Sequence, residues 1–358
     1  MPLHPLYPLL FASRGLSDAE ISSLFVVWSL TTLLVEVPSG AWADAWSRRG
    51  LLALSAVLEA IAFGAWVLVP GYAVFAVGFV VWGVAAAMDS GTLEALVHDE
   101  LERRDDADRF ATLMGRSRAV GLVAALLAGL VAAPLLATGG YLLVGVASVG
   151  ACLAAAALAR SLPEPPREIE TVPTWSAMLH EGVAEVRRDA LVARAVVVAA
   201  VVAGLVAVDE YLPLLLATRG ADAGLVAVLT GVIGLAEAGG AALAGRVGHR
   251  RAAALAVGTG VLLAAGALLP LVPAVVALAL GYGLAQTLLV LVDTRVQDAV
   301  TGDARATVTS MSGLGAEAVA VAVFAAVGLG SVWFALPVVL AALATPLLAV
   351  ALSLHRRR

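Results

Sequence analysis

Apolar residues in this chain gather in long runs separated by short polar or Pro/Gly punctuation. The runs lie near residues 21–42, 51–69, 72–97, 110–133, 139–159, 191–217, 223–244, 252–269, 271–294, 306–328 and 331–353. Most reach the roughly 17–25 residues that a helix needs to cross the hydrocarbon of a bilayer. Pro70-Gly71, Thr138-Gly139-Gly140 and Gly330-Ser331 stand between consecutive runs and predict tight hairpins. Residues 160–190 break the pattern with Pro163, Pro165, Pro166 and Pro173 and with mixed charge. The pattern predicts an all-α polytopic membrane protein: a first bundle over 1–160, a linker over 161–190 and a second bundle over 191–358.

The start of the chain is written twice. Pro8-Leu9-Leu10-Phe11-Ala12-Ser13-Arg14-Gly15 returns as Pro213-Leu214-Leu215-Leu216-Ala217-Thr218-Arg219-Gly220, at an offset of 205 residues. Glu36 through Arg49 is echoed by Glu237 through Arg250 at offset 201, and Glu94 to Asp99 by Asp293 to Asp298 at offset 199. Ala111-Thr112 aligns with Ala306-Thr307. Four matches in the same order make the chain a tandem duplication, so the two bundles are expected to be six-helix copies of each other. On that frame the first helix is short. Its partner begins near Leu191, some 22 residues before Pro213, whereas seven residues precede Pro8. The first helix is therefore expected to be truncated, the record beginning roughly fifteen residues late, because a span rises only about 1.5 Å per residue.

Composition sharpens this picture. The chain is 61% hydrophobic and 14% charged, against about 25% charged in soluble domains. All 22 basic residues are Arg. If alternate loops are assigned to alternate faces, one face holds only Arg14 and Arg219, and the other holds the remaining 20. By the positive-inside rule the linker and the C-terminal Arg356–Arg358 are cytoplasmic. Within the linker, Thr174 caps an expected amphipathic helix with Trp175, Met178, Leu179, Val183 and Val186 on its apolar side. The single Cys152 lies in an apolar run and reads as a packing residue. His4, His98, His180, His249 and His355 show no metal-ligand spacing, and with no Lys there is no phosphate-binding G-x-x-x-x-G-K-[ST] loop. No metal, cofactor, nucleic-acid partner or enzyme chemistry is expected.

Gly40-Ala41-Trp42-Ala43-Asp44-Ala45-Trp46-Ser47-Arg48-Arg49 lies between the second and third helices. It resembles the loop signature G-x-x-x-D-R/K-x-G-R-R/K of the major facilitator superfamily (MFS), matching at Gly40, Asp44, Arg48 and Arg49 and departing at Ala45 and Ser47. The second copy, Gly245 to Arg251, lacks the Asp. The resemblance implies a bacterial, drug-efflux-like transporter with a cytoplasmic gate of ion pairs. That gate would comprise Gly40, Asp44, Arg48, Arg49 and Glu94, with Arg250, Arg251 and Asp293 in the second half. It also implies packing between helices five and eight, where Arg116 or Arg118 would pair with Glu237; Glu36 is the symmetry mate of Glu237. In drug/proton antiporters an Arg often stands where this chain has Ala87, and the Gly-Pro signature of their fifth helix is missing, which tells against antiport.

Ionisable residues inside spans are costly and read as functional by default. Asp89 lies five residues before Glu94, about 140° around the helix, and has no basic neighbour in sequence. Asp209 and Glu210 are adjacent in the seventh helix, and Glu317 lies deep in the eleventh. These four are the candidate substrate or proton sites. His4 and Tyr7 fall near Asp209 in the repeat frame, and Glu59 has no evident role. The expected activity is movement of a small organic molecule by alternating access, as a monomer in the bacterial cytoplasmic membrane, with proton-coupled efflux as the favoured mode. An importer or facilitator of the same fold is the alternative, and a non-transporting membrane sensor the lesser one.

Overall fold

The computed structural model describes residues 1–164, 184, 189–299 and 305–355; the side chains of 37–45, 111, 249, 299, 305–307 and 355 are outside the description. The expected linker helix, and Arg356–Arg358, lie outside the described residues. The described residues are 87% helical. The helices are α1 Tyr7–Ser13, α2 Asp18–Ala45, α3 Arg48–Leu68, α4 Tyr72–Asp89, α5 Thr92–Arg103, α6 Phe110–Ser161, α7 Ala190–Val206, α8 Leu212–Thr218, α9 Ala223–Leu243, α10 Ala252–Leu268, α11 Leu271–Ala299, α12 Arg305–Gly330, α13 Leu336–Leu343 and α14 Pro346–His355. Nine stretches among the described residues are long and apolar enough to cross a membrane, and α10 is a shorter apolar helix.

One of the nine stretches is double. α6 breaks at Gly140, whose φ of 60° and ψ of −161° lie outside the helical region; an L side chain at that φ would clash with its own backbone. The residues after the break run antiparallel to α3. Gly145 meets Val67, Gly64 meets Val149, Ala156 packs on Ala53 and Ala56, and Arg49 reaches the Leu162 carbonyl. The expected hairpin at Thr138-Gly139-Gly140 is therefore present.

Local sequence explains the helix starts. Ser17 and Glu20 form a capping box before α2: Glu20 Oε2 accepts from the Ser17 backbone N–H at 2.9 Å, and Ser17 Oγ accepts from the Glu20 N–H at 3.3 Å. Asp222 caps α9 by accepting from Leu225 N–H at 2.9 Å. The repeat is visible in the backbone itself. α1 and α8 each have seven residues and end at Arg14 (φ −94°, ψ 8°) and Arg219 (φ −93°, ψ 8°), followed by Gly15 and Gly220, both at φ 89°.

The chain separates into two compact units, Met1–Gly15 with Val27–Pro173, and Leu16–Val26 with Thr174–Arg358. α2 thus begins in one unit and ends in the other. The N-terminal unit has an aromatic core: Tyr7, Phe11, Phe63, Trp66, Phe75 and Phe79 are fully buried, and Trp66 Nε1 donates to the Phe75 carbonyl at 3.3 Å. The C-terminal unit has an aliphatic cluster of Val192, Val196, Ala199, Val202, Ala252, Ala256, Leu288 and Val292. Its helices approach closely where α9 crosses α11. A Cβ added at Gly240 would fall on the Gly283 carbonyl, and Thr287 Oγ1 donates to the Gly240 carbonyl at 2.8 Å across the same crossing. Gly240→Ala is therefore expected to cost about 1–3 kcal/mol, read as a lower unfolding temperature in detergent. Gly239→Ala, with open space around the added carbon, is the control expected to change little. Large apolar side chains such as Leu34, Leu329 and Val272 are exposed on the outside of the helices, at 66, 72 and 75%, as lipid-facing residues are.

Candidate functional site

In the C-terminal unit a proline places two acids at a helix break. Pro213 has no N–H to give to the carbonyl four residues earlier, that of Asp209, and its ring crowds that carbonyl. The α-helix accordingly stops at Val206, and Ala207–Tyr211 winds as a 3₁₀ turn before α8 resumes at Leu212. The Asp209 carbonyl accepts instead from Leu212 N–H. Asp209 and Glu210 lie half-buried on this turn. Glu237 of α9 and Tyr282 of α11 are close enough to share their electrostatic field. A small apolar cavity in the same unit opens beside the turn and is lined by Leu205, Val208, Leu212, Leu278, Tyr282 and Leu340, among others.

At the matching position in the N-terminal unit α1 begins, again beside a proline. Pro8 sits in the first turn of α1, and residues 2–6 before it form turns, with Leu6 N–H donating to the Leu3 carbonyl at 2.9 Å. Four residues before Pro8 is His4, as Asp209 is four before Pro213. His4 is exposed, edge-on to Trp82 (ring centroids 5.7 Å apart) and to Tyr7 (6.0 Å). His4 and Asp209 each precede the helix-ending Arg by ten residues, a depth of roughly 15 Å, half the hydrocarbon thickness. Each repeat therefore carries an ionisable side chain four residues before a proline in the first turn of a helix. The signal for this was in the sequence: a proline four residues after a titratable group, twice.

The other candidate acids are spread through the two units. Asp89 is the last residue of α4, exposed, just before Ser90 and Gly91 interrupt the helix, and within electrostatic range of Glu94 and Glu59. Glu36 accepts from Ser90 Oγ at 2.8 Å, which ties α2 to that interruption. Glu317 is half-buried on α12 and has an interaction partner. Arg116 and Arg118 are exposed on α6 in the N-terminal unit, and Glu237 is half-buried in the C-terminal unit.

The loop between α2 and α3 is held by charge. Arg48 Nη1 donates to Asp99 Oδ2 at 2.5 Å, with side chains 12% and 27% exposed. Glu164, just past α6, receives Ser47 Oγ and the Arg48 backbone N–H, each at 2.5 Å, and faces Arg49 Nε at 3.4 Å. A carboxylate at the N-terminus of α3 meets unpaired N–H groups and the positive end of the helix dipole. Neither Asp99 nor Glu164 was among the residues expected to pair with these arginines. The backbone at Gly40 and Asp44 is the final part of α2, and their side chains are outside the description. In the second half, Arg250 and Arg251 are exposed in a 3₁₀ turn and Asp293 is exposed on α11. Among the described residues no ion pair joins them.

The comparisons with known proteins agree on one architecture. A variant of the nucleoside transporter NupG superposes with a TM-score of 0.78 at 14% identity, over 99% of this chain and 93% of that one. A bacterial homologue of the human lysosomal transporter Spinster, inward-facing and unoccupied, gives 0.74 at 16% over 99% and 88%. A D-xylose-proton symporter gives 0.73 at 16% over 98% and 91%. At these identities the likeness is one of fold. No curated protein matches the chain in sequence. The family model described as Major Facilitator Superfamily matches residues 3–324, nearly the whole chain, so this protein belongs to the Major Facilitator Superfamily of membrane transporters.

Proposed function

We propose that the protein is a secondary active transporter of a small organic molecule, working by alternating access and driven by protons. The observation that carries this reading is the proline-broken turn bearing Asp209 and Glu210 at mid-depth, matched by His4 before Pro8 in the other repeat. Discontinuous helices near the membrane midplane are where secondary transporters handle substrate and coupling ions. A carboxyl there binds a proton when exposed to the acidic side and releases it to the other. Asp89 and Glu317 are the further candidates for this role. The distribution of arginines supports a cytoplasmic position for the α2–α3 loop, in what we take to be a bacterial inner membrane. There the Arg48–Asp99 and Glu164 contacts brace the gate loop that Gly40 and Asp44 begin; Glu94 belongs to the same gate, and Arg250 or Arg251 with Asp293 forms its counterpart in the second half. The pairing of Arg116 or Arg118 with Glu237, and the bundle boundaries at 1–160 and 191–358, belong to the same proposal, as does a monomeric state.

Proton-coupled efflux is the reading we favour, because carboxyls at a proline-broken turn suit a cationic or amphipathic substrate exchanged for protons. Symport is the runner-up, supported by the fold shared with a D-xylose-proton symporter. Everted membrane vesicles energised to be acidic inside separate the two. Accumulation of ethidium that collapses on addition of a protonophore supports efflux. Xylose or uridine leaving such vesicles down the pH gradient supports symport, and no gradient-dependent movement of any of the three speaks against both.

A further inference from the structure

The turn that carries Asp209 and Glu210 ends at Tyr211, and Tyr211 is fastened to the start of α2. Its hydroxyl lies 2.8 Å from Ser22 Oγ, and both residues are buried, at 0 and 1% exposure. Ser22 Oγ donates its only proton to the Asp18 carbonyl at 2.7 Å, so Tyr211 must be the donor to Ser22. The two hydroxyls and the carbonyl thus form one satisfied chain inside an apolar cluster. Phe25 and Phe324 close it, with ring centroids 5.2 Å (Tyr211 to Phe25), 5.4 Å (Phe25 to Phe324) and 6.1 Å (Tyr211 to Phe324) apart. Gly328 of α12 admits Ser22 at close range, since a Cβ there would stand 3.1 Å from the Ser22 Cβ. All of these residues lie in the C-terminal unit, to which Leu16–Val26 belongs. From Val27 the same α2 helix continues in the N-terminal unit to Ala45, three residues before Arg48.

We propose that Tyr211 is a positioning residue for transport: through Ser22 it ties the acid-bearing turn to the outer stretch of α2, so that the turn's exposure follows the movement of that stretch. This rests on the reading that the turn handles the proton or substrate. A buried hydrogen bond is a discrete on/off contact, because breaking it strands polar groups in a low-dielectric cluster. The other titratable groups facing the turn are Glu237 on α9, Tyr282 on α11 and Asp18 on α2. None of them is altered by the substitutions below.

The test uses the full chain with the sole cysteine removed (Cys152→Ala) and Ala207→Cys as a reporter on the turn. In intact cells and in everted vesicles, the rate of labelling by a membrane-impermeant maleimide is measured from each face. Tyr211→Phe keeps the ring and removes only the hydroxyl; Ser22→Ala removes its acceptor. Each is expected to raise the outside-to-inside labelling ratio about three- to tenfold, the size set by one buried hydrogen bond. The double variant is expected to shift it no further, because both act on one contact. Unchanged ratios in both single variants, or effects that multiply in the double, would overturn the proposal. A drop in unfolding temperature without a change in ratio would do the same, since it marks a purely structural bond. Asp209→Asn, tested in transport, reports separately on the role of the acids. If it alone leaves the pH profile of transport unchanged, the acid reading fails while the Tyr211 contact stands.

Discussion

Asp209→Asn is expected to abolish gradient-driven accumulation while leaving a folded protein in the membrane. Asn is close to isosteric and still fits the half-buried turn between Val206 and Leu212, so α7 and α8 keep their places. What it loses is the ability to gain and lose a proton. For one proton per cycle, a gradient of one pH unit supports about a tenfold concentration ratio, since one unit corresponds to about 1.36 kcal/mol. The variant is expected to bring that ratio to about one, because binding without a titrating group leaves only equilibration. Proteoliposomes loaded with a pH-sensitive dye and given ethidium, xylose or uridine measure both sides of the coupling. Glu210→Gln is the companion: if the two acids divide the work between cavity and solvent, one of the pair loses coupling and the other retains most of it. Equal and full retention in both would remove these acids from the mechanism.

The second large effect is expected at the α2–α3 loop. Arg48→Asp places two carboxylates where Arg48 and Asp99 now lie 2.5 Å apart, in surroundings that leave these side chains 12% and 27% exposed. Pairs this sheltered exceed the few tenths of a kcal/mol typical of solvated ion pairs, and a like-charge pair reverses the sign. Turnover is expected to fall roughly tenfold, the response to about 1.4 kcal/mol of imbalance between two conformations. The charge swap Arg48→Asp with Asp99→Arg is expected to restore a substantial part of it. A swap no better than the single variant would show that the pair does not brace the gate. Glu164→Ala acts on the same loop by another route, since it removes the acceptor of the Arg48 N–H and of Ser47 Oγ. It is expected to lower the unfolding temperature as well as turnover, as loss of a helix cap does.

The spans and the duplication were legible because both rest on local, repeated signals. A run of apolar residues is a span wherever it packs, and the Pro-to-Gly octet folds into the same seven-residue helix in both copies, to within a degree at the capping Arg. The break at Asp209 was legible in principle, since Pro213 acts on a carbonyl four residues away. Other features depended on tertiary placement. Asp99 and Glu164 lie 51 and 116 residues from Arg48, and nothing in their local sequence marks them as its partners. Likewise Ser22 is one of several hydroxyl residues on α2; its bond to Tyr211, 189 residues away, exists because Leu16–Val26 packs with the C-terminal unit. Gly328 leaves room for Ser22 at this contact, and composition carries no trace of such a fit.

If the protein works by alternating access as proposed, the turn bearing Asp209 and Glu210 is reached from the two faces of the membrane in alternation. The sole native cysteine, Cys152, is buried, so a Cys152→Ala background gives a clean reporter. With Ala207→Cys in that background, a membrane-impermeant maleimide is applied to intact cells and, separately, to everted vesicles. Labelling is expected from both faces, with rates that shift in opposite directions when the pH gradient is reversed. Labelling from one face only, or from neither while the denatured protein labels fully, would contradict it.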